Sequence, residues 1–171
     1  ASYGAAQYWS TNAFEAVNAR GQTQAIRYQF VPEAGTLGLT DEQLKTLPDD
    51  FLADELRARV ARMPVTFQFQ FQLARAGDST NDPTQAWPDD RSVVTVGRLV
   101  VEQVEAGAGG ACDAVTFNPL VLPSGIQPSD DPVLLARSAS YAAYGQSDTS
   151  GSRKVRRSRS MAEVTVSLLR M

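Results

Sequence analysis

No histidine occurs among the 171 residues, and that absence removes a set of chemistries at once. Without imidazole there is no Ser–His or Cys–His nucleophile pair, no histidine metal ligand, and no side chain whose ordinary pKa lies near neutrality. Cysteine is almost as scarce. Cys112 stands alone, so no intrachain disulfide can form and thiol content does not point to an oxidising compartment. With no imidazole to activate it, Cys112 reads as a buried structural thiol rather than a nucleophile. Long apolar runs are missing too: none approaches the roughly 20 residues that cross a bilayer, and no signal-peptide pattern opens the chain. The expectation is a soluble chain with no membrane partner, with cytoplasm and periplasm both left open. Nor is there a surplus of one charge. Sixteen basic against nineteen acidic residues leave −3, too little to argue for nucleic acid as a partner. Arg153, Lys154, Arg156, Arg157 and Arg159 do cluster, but without interleaved aromatics they read as a solvated tail.

What is present is enough for one domain with a core. Asn12–Val17 and Thr23–Val31 read as a hairpin, turned by Asn18-Ala19-Arg20-Gly21. Leu37–Leu47 suggests a short helix with Thr40 as N-cap, closed by Pro48. Asp50 is expected to cap a second helix in which Phe51, Leu52, Leu56 and Val60 recur at helical spacing, with Asp54–Arg57 and Glu55–Arg59 as pairs. Val65–Leu73 alternates apolar residue and glutamine or threonine with period two, and predicts a strand with Val65, Phe67, Phe69, Phe71 and Leu73 on a core face. Left open, such a strand would aggregate, so pairing on both edges is expected. Asn81–Pro88 reads as an ordered loop, with Trp87 and Trp9 as packing residues. Val93–Val104 predicts a further strand with a bulge or close approach at Gly97. Gly107–Gly110 reads as a link. Pro119, Pro123, Gly125 and Pro128 favour an extended path over a helix from Val115 to Ser129. Asp131 then caps a helix with Pro132 at its first position, running to about Tyr144 with Gly145 as its stop. Beyond it lie a linker and, at Glu163–Leu169, a strand pattern with no partner in view.

Arg137 and Tyr141 are one turn apart on that last helix, which sets a guanidinium beside a phenol and favours the phenolate. Taken alone, a helical tyrosine such as Tyr141 or Tyr144 is most often a half-buried core residue, and an arginine such as Arg137 a surface charge.

Three stretches in order change that reading. Tyr8-Trp9-Ser10-Thr11-Asn12-Ala13-Phe14, with Val17–Gly21 and Arg27–Pro32, resembles the barrel hairpin of the catalase superfamily. Asn81-Asp82-Pro83-Thr84 with Trp87-Pro88-Asp89-Asp90-Arg91 resembles that family's characteristic loop. Phe117-Asn118-Pro119, then Gly125–Leu134, then Arg137 and Tyr141, resembles the segment carrying its proximal haem ligand. The resemblance is closer to the smaller haem-dependent catalase-related peroxidases. It implies an α+β fold, part of a catalase-like antiparallel β-barrel with flanking helices and a proximal-ligand helix. It also implies haem b as cofactor, with Tyr141 as the iron ligand and Arg137 holding it ionised against the porphyrin side. Val133 would pack on the macrocycle and Phe117 would wall the pocket. Tyr144 is expected to be structural.

The chain departs from that family where the chemistry needs a base. The family's distal histidine and asparagine precede the hairpin with which this chain begins, so no catalytic residue is assigned. Of the about eight strands in that family's barrel the chain is expected to supply four or five, which implies open edges. Ala1 rather than methionine opens the chain, which fits processing or a piece of something longer. The expected organisation is residues 1–145 as a barrel portion with the ligand helix, and 146–171 as linker and atypical basic tail. The expected function is reduction of hydrogen or organic peroxides with a small organic reductant, incomplete without the distal histidine. The competing expectation is a pseudoenzyme or interaction module without haem, and a third is isomerisation of a fatty-acid hydroperoxide. Candidate partners beyond the substrates are a completing N-terminal segment or further copies in a homo-oligomer.

Overall fold

The computed structural model describes residues 1–105 and 117–147, with side chains as far as Tyr141. Cys112, the Gly107–Gly110 link, the side chain of Tyr144, the basic cluster and the expected strand at Glu163–Leu169 lie outside the described residues. A 3-10 turn at Tyr3–Ala5 leads into β1 (Tyr8–Trp9), β2 (Phe14–Val17) and β3 (Thr23–Pro32). Helices α1 (Asp41–Leu44) and α2 (Phe51–Val60) precede β4 (Val65–Leu73) and β5 (Val93–Val101), and β6 (Ile126–Pro128) precedes α3 (Pro132–Ser147). The strands form one antiparallel sheet in the order β5-β4-β3-β2-β6, with β1 paired to the far end of β3.

The β2–β3 hairpin forms because its turn is chemically specified. The Asn18 side-chain carbonyl accepts the backbone N–H groups of Arg20 and Gln22 at 2.9 and 3.0 Å, and Gly21 takes φ 75°, a conformation costly for any residue with a Cβ. Strand β4 is paired on both edges, as its alternation requires: Phe69 stands opposite Phe30 of β3 and Gly97 of β5. The next pair is Gln70 with Thr95, so Val96 is the extra residue of a bulge beside Gly97. Hydrogen bonding by β5 ends at Val101 rather than Val104. Ahead of β4, Thr40 and Gln43 cap α1 reciprocally. Asp50 occupies the N-cap of α2 without a side-chain bond, a correction to its expected role; its φ of −109° and ψ of 17° are not the extended geometry that aims a cap. The pairs Asp54–Arg57 and Glu55–Arg59 are both made.

The proline-rich run takes the expected extended path in part as a strand: Ile126–Pro128 pairs with β2, with the Gly125 carbonyl, at φ 88°, accepting the Val17 N–H at 2.8 Å. One expectation about α3 fails: the helix passes through Gly145 and is described as far as Ser147, since a lone glycine weakens a helix by only about 1 kcal/mol and does not terminate it.

Helices α2 and α3 pack on the apolar face of the sheet. Leu56 of α2 packs with Val65, Phe67 and Val101 at one end. Leu134 of α3, fully buried, packs with Phe14 and Ile26 at the other. Between them runs a row of rings, Tyr28, Phe30, Phe69 and Phe71, with Phe30 and Phe69 stacked at 4.8 Å. These rings are only half-buried, so the expected phenylalanine core is complete at its ends and partly open in its middle. The opposite face carries an amide chain, Gln7 to Gln29 to Gln70 to Gln68. Trp9 is 66 % exposed, against the expectation that it packs, because two-residue β1 has a neighbour on one side only. Trp87 does pack: its Nε1–H donates to the Ser79 carbonyl at 2.7 Å and the Arg27 guanidinium lies 4.6 Å over its ring. Its loop is pinned by Arg91, which donates to both oxygens of Asp78 at 2.7 and 2.8 Å.

Two outcomes follow from this packing. Leu134→Ala is expected to cost about 2–5 kcal/mol in chemical denaturation, whereas Leu135→Ala, 45 % exposed, costs under about 0.5 kcal/mol. The Arg91 side chain, then the Arg75 backbone N–H, hold the Asp78 carboxyl at about 2 against an ordinary 3.8. The unfolded chain therefore takes up this proton first as pH falls; the stabilisation is complete above about pH 4 and disappears towards pH 2. Asp78→Asn should flatten the slope of unfolding free energy against pH in that window and leave the slope above it unchanged.

Candidate functional site

Helix α3 begins on a buried carboxylate. Asp131 is fully buried, and its Oδ1 accepts the backbone N–H groups of Val133 and Leu134 at 2.8 and 3.3 Å, satisfying two of the donors a helix start leaves open. Its Oδ2 accepts the side-chain N–H of Asn12 at 2.7 Å. Asn12, itself 6 % exposed, is thereby oriented with its carbonyl outward, where it accepts from Nη1 of Arg137 at 3.2 Å. The other terminal nitrogen of Arg137 donates to the Tyr141 hydroxyl across a long 3.4 Å, and the guanidinium lies 5.7 Å from the centre of that ring. One polar line thus runs from the helix cap through Asn12 and Arg137 to a phenol.

Arg137 and Tyr141 are therefore side by side, as their spacing predicts. Val133 precedes them by one further turn on the same helical stripe and is 52 % exposed. Phe117 is 57 % exposed, and its neighbour Asn118 ties that segment to α3 by donating to the Ser138 hydroxyl at 2.9 Å. Two apolar side chains are thus left uncovered along the helix that carries the phenol. Tyr28 lies within the field of Arg137; burial pushes its hydroxyl pKa up, and the guanidinium pulls the other way. On the other face of the sheet, burial lowers the pKa of Arg27 against the opposing fields of Asp131, Asp78 and Asp82.

Two further concavities lie elsewhere. One of about 800 Å³ opens at the β2–β3 hairpin, lined by Ile26, Phe71, Leu73 and Ile126 among others. Another of about 250 Å³ is lined by Gly4, Glu33, Arg59 and Met63 among others. Tyr141 lines neither. Among the described residues no three His, Cys, Asp or Glu side chains form a metal cluster, so a metal here would depend on another donor, for which the phenol is suited.

Sequence reasoning missed Asn12 as a site residue and missed the second task of Asp131. The cap was legible from Asp131-Pro132. Its bond to Asn12 joins residues 119 apart in sequence, and no local pattern announces such a contact.

Comparison with known proteins finds the family model "Catalase" matching residues 1–154. A catalase-related peroxidase of Synechococcus elongatus is 40 % identical over 150 residues, 88 % of this chain and 44 % of that protein. One from Mycolicibacterium paratuberculosis is 38 % identical over 143 residues, 84 % of this chain and 45 % of that protein. The chain therefore spans less than half the length of these relatives. Among solved structures, a fungal catalase and catalase A from Saccharomyces cerevisiae each superpose with TM-score 0.74 at 21 % identity over 85 % of this chain, covering 31 % and 32 % of those chains. They share the antiparallel sheet and flanking helices expected of the fold.

Replacing Asp131 with alanine removes the cap and strands the buried Asn12 amide. The expected loss is about 1–3 kcal/mol in thermal or denaturant unfolding, accompanied by loss of helical circular dichroism from α3.

Proposed function

This chain belongs to the catalase family, and from that premise we propose that it is the proximal-ligand portion of a haem b peroxidase of the catalase-related type, reducing hydrogen or organic peroxides with a small organic reductant. The observation that carries the reading is the line Asp131–Asn12–Arg137–Tyr141, which ends on an oxygen donor suited to ferric iron. Named relatives at 40 % and 38 % identity are catalase-related peroxidases, and that supports the choice of activity.

The residues fit such a group. Tyr141 would be the iron ligand, Arg137 would support negative charge on its oxygen, and Val133 and Phe117 would offer apolar contact to the macrocycle. When bound, haem iron supplies the redox chemistry of O–O bond cleavage. The chain's own contribution is to hold the phenol: Arg137 is fixed at one end by Asn12, and Asn12 by a carboxylate that cannot move without uncapping α3. Pre-orientation of this kind spares the site reorganisation when charge develops.

Proton delivery to the leaving oxygen asks for a base near neutral pKa, and this sequence has no histidine. We assign that base to a completing N-terminal segment. The half-open aromatic row supports the alternative of an interaction module without haem. Haemin titration decides between them: a Soret band with a tyrosinate-type ferric spectrum supports the haem reading, and no binding supports the module. Tyr141→Phe is expected to abolish the tyrosinate signature, and Arg137→Ala to weaken haemin affinity about 10- to 100-fold. An unchanged ferric spectrum in Tyr141→Phe overturns the ligand assignment.

A further inference from the structure

Helix α3 is held from two flanks at adjacent residues. On one, the Asn12 carbonyl accepts from Arg137 at 3.2 Å. On the other, Asn118, in the segment before β6, donates from Nδ2 to the Ser138 hydroxyl at 2.9 Å. The first bond is anchored through Asp131, and the second has an anchor of its own. Asn118 Oδ1 accepts the Leu120 backbone N–H at 2.9 Å, and the Asn118 backbone carbonyl accepts that of Val121 at 3.2 Å. A backbone N–H only donates, so it claims the carbonyl end of the Asn118 amide and turns the N–H₂ end to Ser138. Leu120 and Leu122 fasten this turn to the cluster of Phe14, Ile26 and Leu134. The donor that meets Ser138 is therefore fixed by the core.

Successive helical residues turn by about 100°. Measured from the buried Leu134, Arg137 projects about 60° to one side and Ser138 about 40° to the other. Tyr141 leaves the helix about 20° from Leu134, inside the arc that those two bonded residues bound. Burial follows the same geometry: Ser138 and Tyr141 are half-buried, whereas Leu135, Ala136 and Ser140 are exposed. A bond on one flank resists rolling of the helix in one direction only; bonds on both flanks fix its rotation. We propose that Asn118 is a positioning residue for the Tyr141 site: through Ser138 it sets, together with Asn12, the rotation of α3 about its axis and hence the direction of the phenol. Phe117, its chain neighbour, is kept beside the same helix by the same bond. The inference deepens the proposed function and rests on that reading only for its haemin readout.

The test uses the full chain carrying Ser138→Ala, Asn118→Ala, the two together, or Asn118→Asp. In the haem-free protein, backbone ¹H–¹⁵N residual dipolar couplings along α3 give the rotation of the helix relative to the sheet as the phase of their periodic variation. Ser138→Ala leaves the Asn118 turn intact and should move that phase or damp its amplitude. It should also weaken haemin affinity about tenfold. Its unfolding midpoint should stay within about 3 °C of the parent, because the helix propensity of alanine offsets the lost bond; a purely structural bond would not separate these readouts. The double variant should lose no more affinity than either single one, since both remove the same bond. Asn118→Asp keeps an oxygen for the Leu120 N–H and offers its second oxygen to the Ser138 O–H, so the bond survives with its direction reversed. It should keep the parent phase and remain within about threefold in haemin affinity. If Asn118→Ala fails to fold, the phase in Ser138→Ala and in Asn118→Asp decides. The proposal is overturned if Ser138→Ala keeps the parent phase, if the affinity loss of the double variant is the product of the single losses, or if Asn118→Asp behaves like Asn118→Ala. Failure of the parent chain to bind haemin would sink the haem reading alone, since the phase tests Asn118 without it.

Discussion

The structure depends on a single buried carboxylate that performs two tasks with its two oxygens. Oδ1 of Asp131 starts α3, and Oδ2 fastens that start to Asn12 at the head of β2. Because both partners are drawn to one rigid group, the direction in which α3 leaves the sheet and the orientation of the Asn12 amide are not independent. Everything further along the helix inherits that setting: Leu134 drops onto Phe14 and Ile26, and Arg137 and Tyr141 emerge one and two turns later on the stripe that faces Asn12. A side chain that had to be held only by a flexible surface arginine would keep little of its geometry. The carboxylate inside the protein instead anchors Asn12 and, through it, the arginine beside the phenol.

The sheet shows a complementary economy of cover. Helices α2 and α3 each protect one end of the apolar face, and the rings between them remain half in water. Their mutual stacking recovers part of the contact that a covering layer would give. Even so, a contiguous aromatic row beside β5, the edge strand among the described residues, is a surface that natural sheets ordinarily close. Strand β4 is protected from that hazard because β3 and β5 flank it over most of its length; the burden of exposure falls on the row's faces, not on its backbone.

How much of this could be read from the residues differs by the range of the interaction. Val65–Leu73 was legible because period-two alternation is local, and so was the β2–β3 turn, where Asn18 and Gly21 carry the geometry themselves. The start of α3 was legible in Asp131-Pro132, and the Arg137–Tyr141 pair in a four-residue spacing. Its passage through Gly145 was not, since one glycine weighs little against the cooperativity of a long helix. Strand β6 was hidden by prolines at 123 and 128, which an edge strand tolerates because its outer N–H groups need no partner. The open position of Trp9 was hidden by the general tendency of indoles to pack. Asn12 gave no sign of its role, because that role is defined by Asp131, more than a hundred residues away.

The line from Asp131 to Tyr141 also indicates how the chemistry would divide on the proposed reading. Holding an anionic oxygen on iron is an electrostatic task, suited to fixed charges and dipoles such as a guanidinium, an amide and a carboxylate. Moving a proton between peroxide oxygens is the opposite task, and requires a group poised to gain and lose its charge. A sequence without histidine can be fully equipped for the first and unequipped for the second. On the proposed reading, the absence of histidine bears on proton transfer and leaves the line to Tyr141 untouched.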